Sequence, residues 1–219
     1  MRPRQFDLIA FDWDGTLFDS TRLIARCIQA ACADVGTAVP SDRDASYVIG
    51  LGLADALRLA APELAPDRYG ELGERYRHHY LASLDDIVLF DGTLEMLGAL
   101  KERNHALAVA TGKNRRGLDD ALRRAVLGGY FDATRTADET ASKPDPLMLH
   151  ELMRELGSAA ERTLMIGDTS HDLQLAANAG CASVAVSFGA HSQEEFAPFQ
   201  PLHVAHSTAD LAAWLARHA

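Results

Sequence analysis

The chain predicts an α/β fold: a doubly wound, mostly parallel sheet with helices on both faces and a helical insert after the first strand. Three observations carry this. Short apolar runs stop abruptly at polar residues: Leu8 to Phe11 at Asp12, Ala106 to Ala110 at Thr111-Gly112-Lys113, and Thr163 to Ile166 at Gly167-Asp168. Runs without polar alternation are typical of strands covered on both faces. From Ile87 onward such runs alternate with helical spacing, the rhythm of βαβ units. Residues 18–86 instead show helical segments and no strand alternation.

Each element has its own signals. Ser20 stands as N-cap of a helix carrying Ile24, Cys27, Ile28, Ala31 and Val35, ended by Gly36. Pro40-Ser41-Asp42 begins a second helical stretch, which Gly50-Leu51-Gly52 interrupts. Leu53 to Ala60 is helical again, and a longer helix runs from Asp67 to Ser83 with Tyr69, Leu72, Tyr76 and Tyr80 along one stripe. Asp91-Gly92-Thr93 opens a helix that ends near Arg103. After the Thr111 strand comes a helix with Leu118, Ala121, Leu122 and Ala125 inward, closed by Gly128-Gly129, and a short strand lies between Tyr130 and Ala137. Asp145 is placed as N-cap and Pro146 at the first helical position, ahead of Leu149, Leu152, Met153 and Leu156 and a stop at Gly157. A helix ending at Gly180 precedes the last core strand, Ala182 to Phe188, and His203 to Ala205 adds an edge strand. Ser207 and Asp210 have capping-box spacing before a final helix with Leu211, Trp214 and Leu215. The division is a core of residues 1–17 and 87–219 and an insert of residues 18–86. The insert starts and ends beside polar strand ends, so it overhangs the crevice as a lid.

Bulk properties narrow the function. A length of 219 residues suits one large domain, or a domain with a smaller insert, and 47% hydrophobic residues can build its core. The formal net charge of −10 argues against a nucleic-acid partner, which calls for a basic face. It leaves phosphorylated small molecules open, because salt screens distant surface charge. Cys27, Cys32 and Cys181 form no CxxC pair and fit reduced thiols. Two arginines near the N-terminus are followed by an apolar run too short for a signal segment, and no stretch approaches the roughly 20 apolar residues of a membrane span. A cytoplasmic protein without membrane partners is expected.

The strand ends carry the chemistry. Asp12 and Asp14 end the first strand, and Thr111, Lys143, Asp168 and Asp172 converge on the same crevice if the sheet is built as above. Asp and Gly are also ordinary turn residues, so the Asp12–Gly15 tetrad alone is open to a plain strand-end reading. Carboxylates gathered in one crevice repel unless a cation sits among them, and a few oxygen ligands with open positions suit Mg²⁺. A hydroxyl, backbone N–H groups and a lysine are what a phosphoryl oxygen needs. An aspartate can attack phosphorus to form an aspartyl-phosphate, while a second carboxyl group serves as acid and then base.

Asp12-Trp13-Asp14-Gly15-Thr16, the strand ending in Thr111, Lys143-Pro144 and the run Gly167 to Asp172 resemble, in order and spacing, the haloacid dehalogenase (HAD) superfamily with its Rossmann-like core. The helical insert resembles the cap of the phosphoglycolate-phosphatase-like branch, and the likeness spans nearly the whole chain. It implies Asp12 as nucleophile, Asp14 as acid/base, Thr111 and Gly112 as phosphate-binding groups, and Lys143 as the charge offsetting nucleophile and phosphate. It implies Mg²⁺ held by the Asp12 side chain, the Asp14 backbone carbonyl and Asp168, with Asp172 supporting the metal shell. Gly112 departs from the pattern, since relatives often carry Asn or Ser there. Asp14 argues against dehalogenation, because a halide leaves without a proton. The implied activity is a Mg²⁺-dependent phosphatase acting on a small phosphorylated metabolite, phosphoglycolate first, as a monomer or homodimer. A β-phosphoglucomutase-like phosphomutase, a pyrophosphatase, a nucleotidase and a non-catalytic phosphate-binding protein are the alternatives.

Other residues read more plainly. His78 and His79, with Arg75 and Arg77, fit a solvated helix face rather than a carboxylate-binding site. His171 is expected at the surface or in the outer shell, since Mg²⁺ prefers oxygen. The tyrosine stripe fits the core of the insert. Gly50-Leu51-Gly52 is either a substrate-facing loop or a helix break. Arg115 and Arg116 follow Lys113 and have a place near the crevice as one reading, but a basic first turn on an exposed helix is enough to explain them.

Overall fold

Side-chain alternation decides what each strand covers in the computed structural model, which describes residues 5–84, 87–125 and 127–219. The strands are β1 (Leu8–Phe11), β2 (Phe18–Asp19), β3 (Val88–Leu89), β4 (Ala106–Thr111), β5 (Ala133–Thr136), β6 (Thr163–Gly167), β7 (Ala182–Val186) and β8 (Val204–Ala205). The helices are α1 (Thr21–Asp34), α2 (Asp42–Tyr47), α3 (Leu53–Ala60), α4 (Tyr69–Ala82), α5 (Thr93–Glu102), α6 (Arg115–Arg124), α7 (Leu147–Leu156), α8 (Ser170–Asn178) and α9 (Thr208–His218). Six strands form one parallel sheet in the order β5-β4-β1-β6-β7-β8. The chain runs outward from β1 to β5 on one side, then returns to β6 and runs outward on the other. Strand order therefore reverses at β1, where a ligand crevice opens beyond the carboxyl ends.

Both faces of β1 are buried. Ile9 and Phe11 join Leu107, Val109, Leu164 and Ile166 in a cluster completed by Leu97 of α5, Leu118 of α6 and Trp214 of α9. Leu8 and Ala10 point the other way, with Ala108, Ala110 and Met165, against Leu149 and Leu152 of α7 and Leu175 of α8. Apart from Leu8, the residues of β1 and β4 under α7 and α8 are thus alanines, and larger ones face α5, α6 and α9. The doubly wound expectation holds, including the edge strand at Val204–Ala205.

The insert has its own apolar cluster, in which Ile28 and Cys32 of α1, Leu57 of α3 and Leu72 of α4 are buried together. Its connections differ from the all-helical expectation for residues 18–86. Phe18–Asp19 is strand β2, paired antiparallel with β3, Phe18 opposite Leu89. Two chain segments entering and leaving side by side satisfy each other's backbone groups this way. The expected boundary at residue 86, and the arginines at positions 2 and 4, lie outside the described residues.

Other differences are local. Ser20 precedes α1 but makes no capping bond there. Residues 66–68 form a 3₁₀ turn, so the long helix starts at Tyr69. Pro146 rather than Asp145 occupies the position before α7, yet the Asp145 carboxylate still accepts the Leu147 N–H at 2.9 Å. Ser207 accepts the Asp210 N–H at 3.1 Å, whereas the Asp210 carboxylate reaches back to the His206 N–H instead of completing the box.

Leu164 lies on β6, next to β1, with no exposed surface. Leu164→Ala is expected to lower unfolding free energy by about 2–5 kcal/mol in denaturant titration.

Candidate active site

The turn after β1 separates two aspartates around one aromatic anchor. Trp13 is buried in the sheet cluster and stacks on Phe18 with ring centroids 4.7 Å apart. Its carbonyl accepts the N–H groups of Leu17 at 3.0 Å and Phe18 at 3.1 Å, closing a tight turn in which Gly15 has φ 78°. With Trp13 fixed in the core, Asp12 and Asp14 both border the crevice.

Lys143 is fully buried between two carboxylates. Its Nζ donates to Asp12 Oδ1 at 2.7 Å and to Asp172 Oδ1 at 2.6 Å. Asp172 Oδ2 accepts the Thr169 N–H at 3.1 Å and the Thr169 hydroxyl at 2.6 Å, so this carboxylate caps α8 while it anchors the lysine. Asp168 accepts the Thr16 hydroxyl at 3.0 Å and the Ala190 N–H at 2.7 Å. Thr111 ends β4 buried, its Oγ1 accepting the Lys113 N–H at 3.2 Å, which leaves the hydroxyl hydrogen free for another acceptor.

Asp14 has a separate set of partners. Ser20 Oγ donates to its Oδ1 at 2.8 Å, and Lys113 Nζ pairs with its Oδ2 at 2.8 Å. Lys113 also donates to the hydroxyl of Tyr80, on α4 of the insert, at 2.9 Å.

Burial sets the electrostatics. It pushes the Asp12 carboxyl up to about 7, with the Asp172 and Asp14 charges adding to the rise and Lys143 opposing it. Burial, together with Asp12 and Asp172, holds Asp168 well above the usual carboxylate range. For Lys143 burial disfavours the charge, but Asp12 and Asp172 outweigh it and the net shift is upward. Asp12, Asp14, Asp168 and Asp172 set against Lys113 and Lys143 are four carboxylates and two ammoniums, two negative charges in excess when all are ionised.

That excess suits a divalent cation. Oxygens of Asp12, Asp168 and Asp172 lie within 4.8 Å of one another, and Asp12 Oδ2 is buried without a hydrogen-bond partner. A buried carboxylate oxygen left unpaired is costly unless something binds it. The donor set is all oxygen, as Mg²⁺ requires. Residues and ion therefore fit.

The insert closes over this edge of the sheet. A cavity of about 780 Å³ runs from Asp12, Asp14 and Thr111 between Ile24, Ile28, Tyr76 and Tyr80 to Arg77 and Arg116. Gly50 and Leu51 line it, so that glycine-bounded loop faces the site as well as breaking the helix. A Cβ at Gly112 would overlap the carbonyl oxygens of Gly50 and Leu51, which is why this position has no room for a side chain. Gly52 N–H donates to Ser142 Oγ at 2.8 Å. At the end of α2 the Tyr47 carbonyl meets His171 Nε2 at 2.8 Å and His191 Nε2 at 3.0 Å. Burial lowers the pKa of both imidazoles, keeping them neutral donors, and His191 Nδ1 accepts the Ser170 N–H at 3.0 Å.

All seven expected positions meet at this edge: Asp12, Asp14, Thr111, Gly112, Lys143, Asp168 and Asp172. His171 is not at the surface; it is buried against Tyr47. Arg75 and His79 pair with Asp34 on the exposed face, as expected, while Arg77 reaches the cavity. Arg115 is tied to Glu139 and Asp119, whereas Arg116 borders the cavity. Tyr69 and Leu72 belong to the insert's core, but Tyr76 and Tyr80 also line the cavity. Sequence reasoning gave no role to Thr16, Lys113 or His191, and assigned Ser20 to a helix cap. Lys113 had a usable signal, as a charged residue two positions beyond a buried strand. His191 had none, because its partners lie far away in sequence.

A doubly wound sheet with a buried carboxylate–lysine crevice under a helical lid defines an α/β enzyme scaffold with a covered, metal-competent site. Residues 9–186 match the model of the haloacid dehalogenase-like hydrolase family. A 5′-nucleotidase of Pseudomonas aeruginosa is 35% identical over 94% of this chain and 92% of its own. A phosphoglycolate phosphatase of Vibrio vulnificus is 30% identical over 96% of each chain. The crystal structure of a hydrolase from Pseudomonas syringae superposes with a TM-score of 0.88, covering 98% of this chain and 100% of that one, at 23% identity, a likeness of fold. The chain belongs to the haloacid dehalogenase-like hydrolases; it is a hydrolytic enzyme with phosphatases among its relatives.

The raised Asp12 pKa predicts a pH signature in metal-free protein. The folded state holds this proton more tightly than the unfolded chain does, so stability due to Asp12 is full below about 4 and is lost as pH rises to about 7. Asparagine mimics the protonated carboxyl. Asp12→Asn should therefore lack this loss: whatever its offset from wild type near pH 4, the difference should move in the variant's favour as pH rises to about 7 in EDTA, and Mg²⁺ should reduce that movement; thermal melts of both proteins across pH read this directly.

Proposed function

We propose that this enzyme is a Mg²⁺-dependent phosphatase of a small phosphorylated metabolite, working through an aspartyl-phosphate on Asp12, with phosphoglycolate the first candidate substrate. The observation that carries the reading is Asp12 itself, at the border of the crevice: Lys143 holds Oδ1, and buried Oδ2 is left without a hydrogen-bond partner. Residues 18–86 act as a cap on a core of residues 1–17 and 87–219.

Asp12, Asp168 and Asp172, with the Asp14 carbonyl, would hold Mg²⁺, which when bound neutralises phosphoryl and carboxylate charge. An Asp12 carboxylate oxygen forms a bond to phosphorus as the ester P–O bond breaks, and Asp14 gives its proton to the leaving oxygen. Asp14 then takes a proton from water as that water's oxygen attacks phosphorus, the bond to Asp12 breaks, and phosphate departs. Lys143 offsets charge on Asp12 and on the phosphoryl group, while the Thr111 hydroxyl and the Gly112 N–H receive its oxygens. Closure of the insert excludes bulk water during transfer.

A second reading, a nucleotide or other bulky monoester as substrate, is favoured by the cavity of about 780 Å³ beside Tyr76 and Tyr80. The relative from Pseudomonas aeruginosa is named for such an activity.

Phosphate release from phosphoglycolate, hexose phosphates, nucleotides and pyrophosphate, with Mg²⁺ and with EDTA, tests both readings. One Mg²⁺-dependent substrate far above the rest is expected. Asp12→Asn should fold and lose turnover by at least about a thousandfold, a scale usual for removing a covalent nucleophile. Retained activity would remove Asp12 from the mechanism, and isomerised product without free phosphate would replace the phosphatase by a mutase.

A further inference from the structure

Asp14 is held from two directions, one of which passes through the cap. Ser20, at the end of the turn after β1, donates to Oδ1 at 2.8 Å. Lys113, two residues beyond β4, pairs with Oδ2 at 2.8 Å, and its ammonium is itself held by the Tyr80 hydroxyl at 2.9 Å. Tyr80 stands in the last turn of α4, so its bond to Lys113 exists only while α4 lies over the sheet edge, whereas the Lys113–Asp14 pair lies within the core. Lys113 keeps 12% of its side-chain surface exposed and Asp14 keeps 11%, which leaves little water to compete for either bond.

A lysine is poorly suited to fixing a carboxylate by itself. Its ammonium is a point charge with three rotatable donors on a flexible stem, and one partner leaves the direction of approach loose. A second fixed partner supplies that direction. With Ser20 alone, Asp14 could still swing about one oxygen; with Lys113 and Tyr80 in place, both oxygens are held. We propose that Tyr80 and Lys113 are positioning residues for Asp14, tying the aim of the acid/base carboxyl to closure of the cap. The role assigned to Asp14 rests on the phosphatase reading; the tie itself does not.

The tie has a signature that loose packing would not give. p-Nitrophenyl phosphate releases a phenolate that leaves without a proton, whereas phosphoglycolate releases an alkoxide that needs one. Tyr80→Phe keeps a ring against Tyr76, whose centroid is 5.8 Å away, and removes only the hydroxyl. Because Asp14 also serves as base in the hydrolysis common to both esters, the transfer half-reaction is read from kcat/KM: it should fall about tenfold on phosphoglycolate and stay within about twofold on p-nitrophenyl phosphate. Lys113→Met should show the same asymmetry more deeply, and the double variant should be no slower than Lys113→Met alone. Equal losses of kcat/KM on both esters, or losses that multiply in the double variant, would overturn the proposal.

Amide exchange reads the tie without turnover. Asp14→Ala and Tyr80→Phe should each speed exchange in residues 76–82 about fivefold, with no further gain when combined. Exchange there that ignores Asp14→Ala would also overturn the proposal. If wild type releases phosphate from neither ester, the phosphatase reading loses its support, and the exchange result still decides the tie.

Discussion

A lysine ammonium sealed between two carboxylates is the constraint around which the site is built. Lys143, Asp12 and Asp172 have almost no solvent, so none of these charges is tolerable alone: removing one partner of a buried pair leaves an uncompensated charge, typically at a cost of about 3–5 kcal/mol. Chain order follows from this. Asp12 must come from the end of β1, Lys143 from the loop before α7 and Asp172 from the first turn of α8, and only a sheet with β1 beside β6 brings those three together. Close packing completes the enclosure. A Cβ at Gly15 or Gly189 would overlap the Asp168 carboxylate, and one at Gly167 would overlap Asp172. Glycines here are the condition for carboxylates approaching backbone closely enough to exclude water.

The sheet and the carboxylate positions were legible in the sequence because each is a local signal. An apolar run ending at Asp12 or Asp168 states both the strand and the place where it opens to the crevice. What the sequence concealed is where polar side chains turn once several options compete. Ser20 has the residue type and position of a helix cap, yet its backbone is not extended as a cap requires, its oxygen accepts no helix N–H, and its hydroxyl donates to the buried Asp14 carboxylate. Tyr80 fits an apolar stripe by spacing, and its ring does lie against the insert's core. Its hydroxyl needed a polar partner once buried, and Lys113, 33 residues away, supplies one. Helical periodicity says nothing about such a pairing.

Gly112 shows how a departure from a family pattern acquires a physical reason. The family resemblance leads one to expect Asn or Ser at this position. In this chain the carbonyls of Gly50 and Leu51 occupy the space where that side chain would stand. Loss of a side chain on the sheet edge is matched by approach of the insert's loop, so the wall next to Thr111 is built by backbone from the other side. Tyr47 against His171 and His191, Gly52 against Ser142, and Tyr80 against Lys113 are further places where the insert meets the core through polar contacts.

The surroundings of the two aspartates at the end of β1 account for the proposed division of labour between them. Separated only by Trp13, they face different halves of the site. Asp12 has one oxygen committed to Lys143 and the other unpartnered, in the cluster where oxygens of Asp168 and Asp172 converge. An oxygen with no donor on it is available to a metal or to phosphorus. Asp14 has both oxygens engaged, one by a hydroxyl and one by an ammonium, and lies toward the cap, where a leaving group would sit. Those contacts aim a carboxyl group without placing it in the metal-ligating cluster. Identical side chains on neighbouring positions thereby acquire different chemistry, and the partners that separate them, Lys143 on one side and Lys113 with Ser20 on the other, come from different elements of the fold.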